Sequence, residues 1–132
     1  MRLIVQRVSS GRVVVQKTQK EIAKVGRGLL VLVGVKEGDE ETSAEALAEK
    51  LARLRIMSDD KGKMNLSIKD VGGEILVVSQ FTLYADTRGG NRPSFIKAAS
   101  PLLAKKLYER FVEKLKSLGF PVETGSFGEY ME

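Results

Sequence analysis

The sequence predicts a single α+β domain, with two main helices against a mixed or mostly antiparallel sheet. Three observations predict it. Strand-like runs rich in Val, Ile and Leu recur at residues 2–8, 12–16, 28–35 and 74–84. Two segments with helical spacing of apolar residues lie between and after those runs. No repeat, low-complexity stretch or linker divides the 132 residues, a length at which one core buries roughly two thirds of the unfolded surface.

Taken in order, residues 2–8 and 12–16 read as strands around the turn-forming Ser9-Ser10-Gly11. Gly28 to Val35 is apolar on both faces, as a central strand would be. Gly38-Asp39 opens a helix in which Thr42 and Glu45 have the spacing of a capping box. Ala44, Leu47, Leu51 and Leu54 supply its buried stripe. Lys61-Gly62 marks a turn, and Gly72-Gly73 leads into the last long strand.

A basic loop, Asp86 to Pro93, follows that strand. Ser100 as N-cap and Pro101 in the first helical position then start a second helix. Leu103, Leu107, Phe111, Leu115 and Leu118 form its stripe, and Gly119 with Pro121 ends it. A short strand is expected at residues 122–124, and the start of another at residues 127–132.

With 42% hydrophobic and 30% charged residues the chain is globular in composition and not disordered. No apolar run approaches the ~18–20 residues of a membrane span, and residues 1–7 lack the apolar core of a signal peptide. The expected location is therefore the cytoplasm. The net charge is +5. Residues 1–27 carry Arg2, Arg7, Arg12, Lys17, Lys20, Lys24 and Arg27 against Glu21 alone. Lys105, Lys106, Arg110, Lys114 and Lys116 stand near only Glu109 and Glu113 in sequence. Such asymmetry suits a polyanionic partner, nucleic acid first, and also an ordinary solvated surface.

The chain has no His and no Cys, which excludes thiolate chemistry, disulfides and imidazole bases. No acidic residues have metal-ligand spacing, so neither a metal nor a cofactor is expected. Nor is there a Gly-x-x-x-x-Gly-Lys-Ser/Thr or Gly-x-Gly-x-x-Gly pattern, which argues against nucleoside triphosphates and dinucleotides. What remains is the run Glu74-Ile-Leu-Val-Val-Ser-Gln-Phe-Thr-Leu-Tyr-Ala-Asp86. Ser79, Gln80 and Thr82 interrupt an apolar strand, where burying an unpartnered polar group costs about 1–3 kcal/mol. In a regular strand Gln80 and Thr82 share one face and Ser79 the other. All three can serve one substrate only if the chain bends near Ser79 or the backbone N–H groups contribute.

Several segments together resemble the D-aminoacyl-tRNA deacylase family: Met1 to Val8, Gly28 to Val35, Leu54 to Ile56, Gly62 to Ser67, Gly72 to Asp86, Arg92 to Phe95 and Val122 to Gly125. They occur in family order through essentially the whole chain, residues 1–132. The family's Ser-Gln-x-Thr signature falls on Ser79, Gln80, Phe81 and Thr82. The resemblance implies a barrel-like sheet and a cytoplasmic homodimer with its active site at the subunit interface. It also implies hydrolysis of the ester joining a D-amino acid, or mischarged glycine, to tRNA. Ser79, Gln80, Phe81 and Thr82 are then the candidate catalytic segment; Arg7, Arg92, Phe95, Phe127 and Met131 are candidate substrate-binding residues.

A second family signature, Asn-x-Gly-Pro-Val-Thr, belongs beyond Glu132. The prolines here are Pro93, Pro101 and Pro121, so the expectation is a chain truncated ahead of that segment. Without a side-chain base for Thr82, the expected mechanism is oxyanion stabilisation by backbone N–H groups, with the vicinal ribose hydroxyl of the tRNA activating water. A non-catalytic nucleic-acid-binding module and a dimeric scaffold are the alternatives.

Overall fold

A computed structural model describes residues 1–132. The strands are β1 (Arg2–Val8), β2 (Gly11–Val15), β3 (Lys20–Val25), β4 (Gly28–Gly34), β5 (Met57–Ser58), β6 (Met64–Leu66), β7 (Glu74–Ser79) and β8 (Val122–Thr124). Two helices, α1 (Glu41–Arg53) and α2 (Pro101–Ser117), and a 3-10 turn at Phe81–Tyr84 complete the chain.

The main sheet has the order β1-β4-β7-β8. β1 runs antiparallel to β4, while β4, β7 and β8 are mutually parallel. The sheet is thus mixed, and the mostly antiparallel alternative is set aside. Parallel neighbours need long crossovers, and the two helices lie in them, one between β4 and β7 and one between β7 and β8. The helices therefore run the same way. Glu41, Glu45 and Glu49 of α1 meet Lys106, Arg110 and Lys114 of α2 in three rungs, one helical turn apart.

Those rungs correct the charge reading of the second helix. Lys106, Arg110 and Lys114 are neutralised by α1 and are not a free basic face. Hydrogen bonding by Glu45 and its charge raise the Arg110 guanidinium above its ordinary value, and Lys114 holds the Glu49 carboxyl below its own.

Side-chain alternation divides the core. Leu29, Val31 and Val33 of β4 with Ile75 and Val77 of β7 face the helices, where Ala44, Ala48, Leu51, Phe111 and Leu115 close a fifteen-residue cluster. Leu30, Leu76 and Val78 face the other way, under Val13, Ala23 and Val25 of the β2–β3 hairpin. The hairpin's wrap over the sheet is the barrel-like feature, although the named strands pair in three separate sheets.

Helix α1 begins at Glu41 with Glu40 as N-cap, so Thr42 lies inside it and the expected capping box does not form. Its intended partner Glu45 is held by Arg110, and the Asp39 carboxylate accepts from the Lys36 N–H and pairs with the Met1 ammonium. Helix α2 starts as read, with Ser100 Oγ accepting from the Leu103 N–H. Its end is a Schellman motif: Gly119 takes φ +91°, its N–H donates to the Lys116 carbonyl, and the Phe120 N–H donates to that of Leu115. The pairing expected from residue 127 onward is confined to Tyr130–Glu132, which lie along Val14 to Gln16.

Tyr108 ties the helix layer to the sheet, its hydroxyl donating to the Val77 carbonyl at 2.9 Å. Burial pushes this phenol up to about 12, with the Glu109 charge adding to the effect. A raised value means that its contribution is complete below the unfolded value of about 10 and is lost as pH climbs through about 12. Tyr108→Phe should cost about 1 kcal/mol at neutral pH, because the Val77 carbonyl keeps the Gly125 N–H as donor. The variant should also lose the part of the stability decline between pH 10 and 12 that Tyr108 causes. Urea denaturation across that range checks this, and an unchanged alkaline slope would refute it.

Candidate active site

β7 ends at Ser79, where the chain turns out of the sheet. Gln80 has φ −145° and ψ 89°, its N–H donates to the Val33 carbonyl at 2.8 Å, and the 3-10 turn follows at once. A bend near Ser79 is one of the two arrangements that the parity of the polar residues allows, the other being a contribution from backbone N–H groups. Gln80 Nε2 donates to Thr82 Oγ1 at 2.5 Å, so the two side chains that a strand would place on one face stay together through the turn. Within the turn, the Leu83 N–H donates to the Gln80 carbonyl and that of Ala85 to the Thr82 carbonyl. The N–H groups of Phe81 and Thr82 open the turn and have no acceptor within it.

The segment is not buried as the strand reading implied. Phe81 and Thr82 are exposed, and Ser79 and Gln80 are half-buried. No orphaned buried polar side chain arises here, because the polar groups emerge at the strand end.

Two features that the sequence reading missed hold the turn. Gly34 ends β4 directly beneath it: a Cβ there would lie 2.9 Å from Leu83 Cβ and 3.3 Å from the Gln80 carbonyl oxygen. Arg2 donates from Nη1 to the Leu83 carbonyl at 2.5 Å and lies 4.8 Å from the centroid of the Tyr84 ring. Pairing of β1 with β4 could have found Arg2, since it sits opposite Gly34.

Phe95 joins the site, its ring 5.1 Å from that of Phe81 in an edge-to-face pair. Arg92 lies three residues before it, in a loop closed by reciprocal backbone hydrogen bonds between Asp86 and Ser94. The other expected residues are elsewhere. Arg7 is at the far end of β1, roughly 17 Å along the strand from Arg2, and donates to Ser58 Oγ at 3.1 Å. Phe127 packs on the helix side, 6.0 Å from the Tyr108 ring, whereas Met131 packs on the hairpin side with Val78. Within one chain these three do not meet the Ser79–Thr82 segment as a single pocket.

No group of three or more His, Cys, Asp or Glu side chains is placed to hold a metal ion. No helix is long and apolar enough to cross a membrane.

A crossover α+β fold that delivers a Ser-Gln-Phe-Thr turn at the end of its central parallel strand defines a class, and comparison identifies it. The family model for D-Tyr-tRNA(Tyr) deacylase matches residues 4–132. The chain belongs to that family. It is 55% identical over 132 residues to the D-aminoacyl-tRNA deacylase of Thermomicrobium roseum, covering all of this chain and 84% of that protein. With the D-aminoacyl-tRNA deacylase of Thermotoga petrophila it shares 56% identity over 131 residues, 99% of this chain and 87% of the relative.

Among solved structures, c-Myc DNA Unwinding Element Binding Protein superposes with a TM-score of 0.92 at 36% identity, over 100% of this chain and 89% of that one. A probable eukaryotic D-amino acid tRNA deacylase shares the fold with a TM-score of 0.79 at 16% identity, over 98% of this chain and 91% of that one.

Proposed function

We propose that this protein hydrolyses the ester between a D-amino acid and the 3′ end of tRNA, releasing both. The observation that carries the reading is the turn at Phe81–Tyr84, which sets two backbone N–H groups, the Gln80–Thr82 pair and the exposed Phe81 ring at one open strand end. Close kinship with named deacylases over the whole chain supports the same reaction. Water adds to the ester carbonyl carbon, and the Phe81 and Thr82 N–H groups receive the negative charge that develops on its oxygen. The carbonyl re-forms as the C–O bond to the ribose breaks, and the departing ribose oxygen takes a proton. The vicinal ribose hydroxyl relays the proton from water to the departing ribose oxygen, so no side-chain base is needed. Glycine mischarged on tRNA is proposed as a further substrate, since it too lacks an L side chain.

The working form is proposed to be a cytoplasmic homodimer. Ile4, Leu32 and Val78 stand side by side in register on the sheet face that carries the hairpin. Ile4 is 50% exposed and Phe81 55%. A second copy covering this row would enclose the turn and supply the walls that one chain lacks.

The test is release of D-tyrosine from D-tyrosyl-tRNA by the purified chain, with light scattering to give its mass. Turnover well above spontaneous hydrolysis supports the reading, and a rate equal to the blank removes it. One relative favours a second reading, nucleic-acid binding without catalysis, because its name specifies a DNA element. Salt-dependent DNA binding in the absence of turnover would select it.

A further inference from the structure

The loop beside the turn contains a cavity of about 550 Å³ lined by Asp86, Arg88, Gly89, Arg92 and Ser94, none of them hydrophobic. Its rim is fixed at the base: the Asp86 N–H donates to the Ser94 carbonyl at 2.8 Å, and the Ser94 N–H returns the bond at 2.9 Å. Asp86 also organises the interior. Its carboxylate accepts from the Arg88 backbone N–H at 3.0 Å, from Arg88 Nη2 at 2.6 Å and from Lys97 Nζ at 3.3 Å. Arg88, though largely exposed, therefore has its guanidinium pinned by a carboxylate that stays ionised, since Arg88 first, and Lys97 after it, hold Asp86 well below the usual carboxylate range.

Arg92 is different. It lines the same cavity and has no carboxylate within ion-pair distance, so its charge and its forked donors are free. Arg88, Arg92 and Lys97 outnumber the one acid of the loop, Asp86, which leaves an excess of positive charge there. Gly89 and Gly90 have no heavy atom within 4 Å of a built Cβ, so their side of the loop is open to a ligand.

The cavity adjoins the reaction centre. Ser94 on its wall precedes Phe95, and Phe95 lies against Phe81 of the turn. A ligand group in the loop is thus within reach of one whose ester lies at Phe81–Thr82. Forked cationic donors in a cavity lined by no hydrophobic residue suit a tetrahedral oxyanion rather than a ring or a side chain.

We infer that the Asp86–Ser94 loop is a phosphodiester cradle for the single-stranded acceptor end of the substrate, with Arg92 as its principal ligand and Asp86 as the group that positions Arg88. This rests on the deacylase reading above. Arg92 is a binding residue here and takes no part in bond breaking, so it acts only on substrates that carry the phosphate.

The test compares two esters of one amino acid, D-tyrosyl-tRNA and 3′-O-D-tyrosyl-adenosine, which has no phosphate. Arg92→Ala should lower kcat/KM for the tRNA about tenfold, mainly through KM, and leave the nucleoside ester within about twofold. Arg92→Lys should recover part of the loss. The slope of log kcat/KM against log salt should become shallower by about 0.7, one single-strand phosphate contact. Equal losses on both esters would make the loop merely structural, and no loss on either would leave Arg92 without a ligand; each outcome overturns the inference.

A binding arm separates this from failure of the deacylase reading. Calorimetry with an uncharged cytidyl-cytidyl-adenosine trinucleotide should show weaker binding to the Arg92→Ala protein. If the native chain turned over neither ester yet bound the trinucleotide through Arg92, the cradle would stand and the catalytic reading would fall. Binding indifferent to Arg92 would overturn the cradle whether or not the esters are cleaved.

Discussion

Phe111→Ala should destabilise the fold by about 3–5 kcal/mol, the range for deleting a large buried ring. Phe111 is fully buried in the fifteen-residue cluster between the main sheet and the two helices. Its neighbours in that cluster include Ala44 and Ala48, whose single methyl groups cannot move far enough to fill the space. Total stabilities of domains are only about 5–15 kcal/mol, so the loss removes a large fraction. For a chain of this size the midpoint of thermal unfolding should fall by roughly 10–20 °C. Ile96→Ala is the matched control: Ile96 is 89% exposed, and its truncation should stay within about 0.5 kcal/mol. Urea denaturation of both variants decides the matter. A loss below about 1 kcal/mol for Phe111→Ala would mean that the helices do not pack on the sheet as described.

Much of this layer was legible because local signals agreed with the tertiary arrangement. The stripe of α2 read from sequence contains Leu107, Phe111 and Leu115, all buried, and the signals at Ser100, Pro101 and Gly119 mark its ends. Strand β3 was missed for a physical reason. It puts only Ala23 and Val25 inward, while its other apolar residue, Ile22, is exposed beside Lys20, Glu21 and Lys24. A small residue on the buried face and a large one on the solvent face erase the period-two pattern. A positive φ at Gln19, where the β2–β3 turn reverses, is likewise unannounced by a glycine.

Charge was the least legible property. Lys106, Arg110 and Lys114 look unpaired along the chain because their partners, Glu41, Glu45 and Glu49, lie some 65 positions away on a helix that runs parallel. Only the parallel order of β4, β7 and β8 brings the two rows into register. The site was half legible by the same logic. Parity along residues 79–82 pointed to a bend or to backbone N–H groups, and the strand does end at Ser79 in a turn. The support from Gly34 and Arg2 depends on β1 and β4 lying beside β7, which no local pattern encodes.

Thr82 separates two chemistries, and substitutions at this one residue should distinguish them. Thr82→Ala should reduce kcat on D-tyrosyl-tRNA by no more than about tenfold. Replacing the Thr82 backbone N–H with an ester oxygen, by semisynthesis, should reduce it about 10²–10³-fold, the loss of one oxyanion donor at about 2.7–4 kcal/mol. The reason is the company that the hydroxyl keeps. Its nearest polar partner is the Gln80 amide at 2.5 Å, and an amide presented by either atom is no base at neutral pH. The chain contains no imidazole or thiol to do that work. An alcohol so placed holds Gln80 and the turn in position and does not attack. The opposite ranking, with Thr82→Ala silencing the enzyme and the amide replacement tolerated, would make Thr82 the nucleophile. A D-tyrosyl ester trapped on Thr82 and found by mass spectrometry would establish that directly.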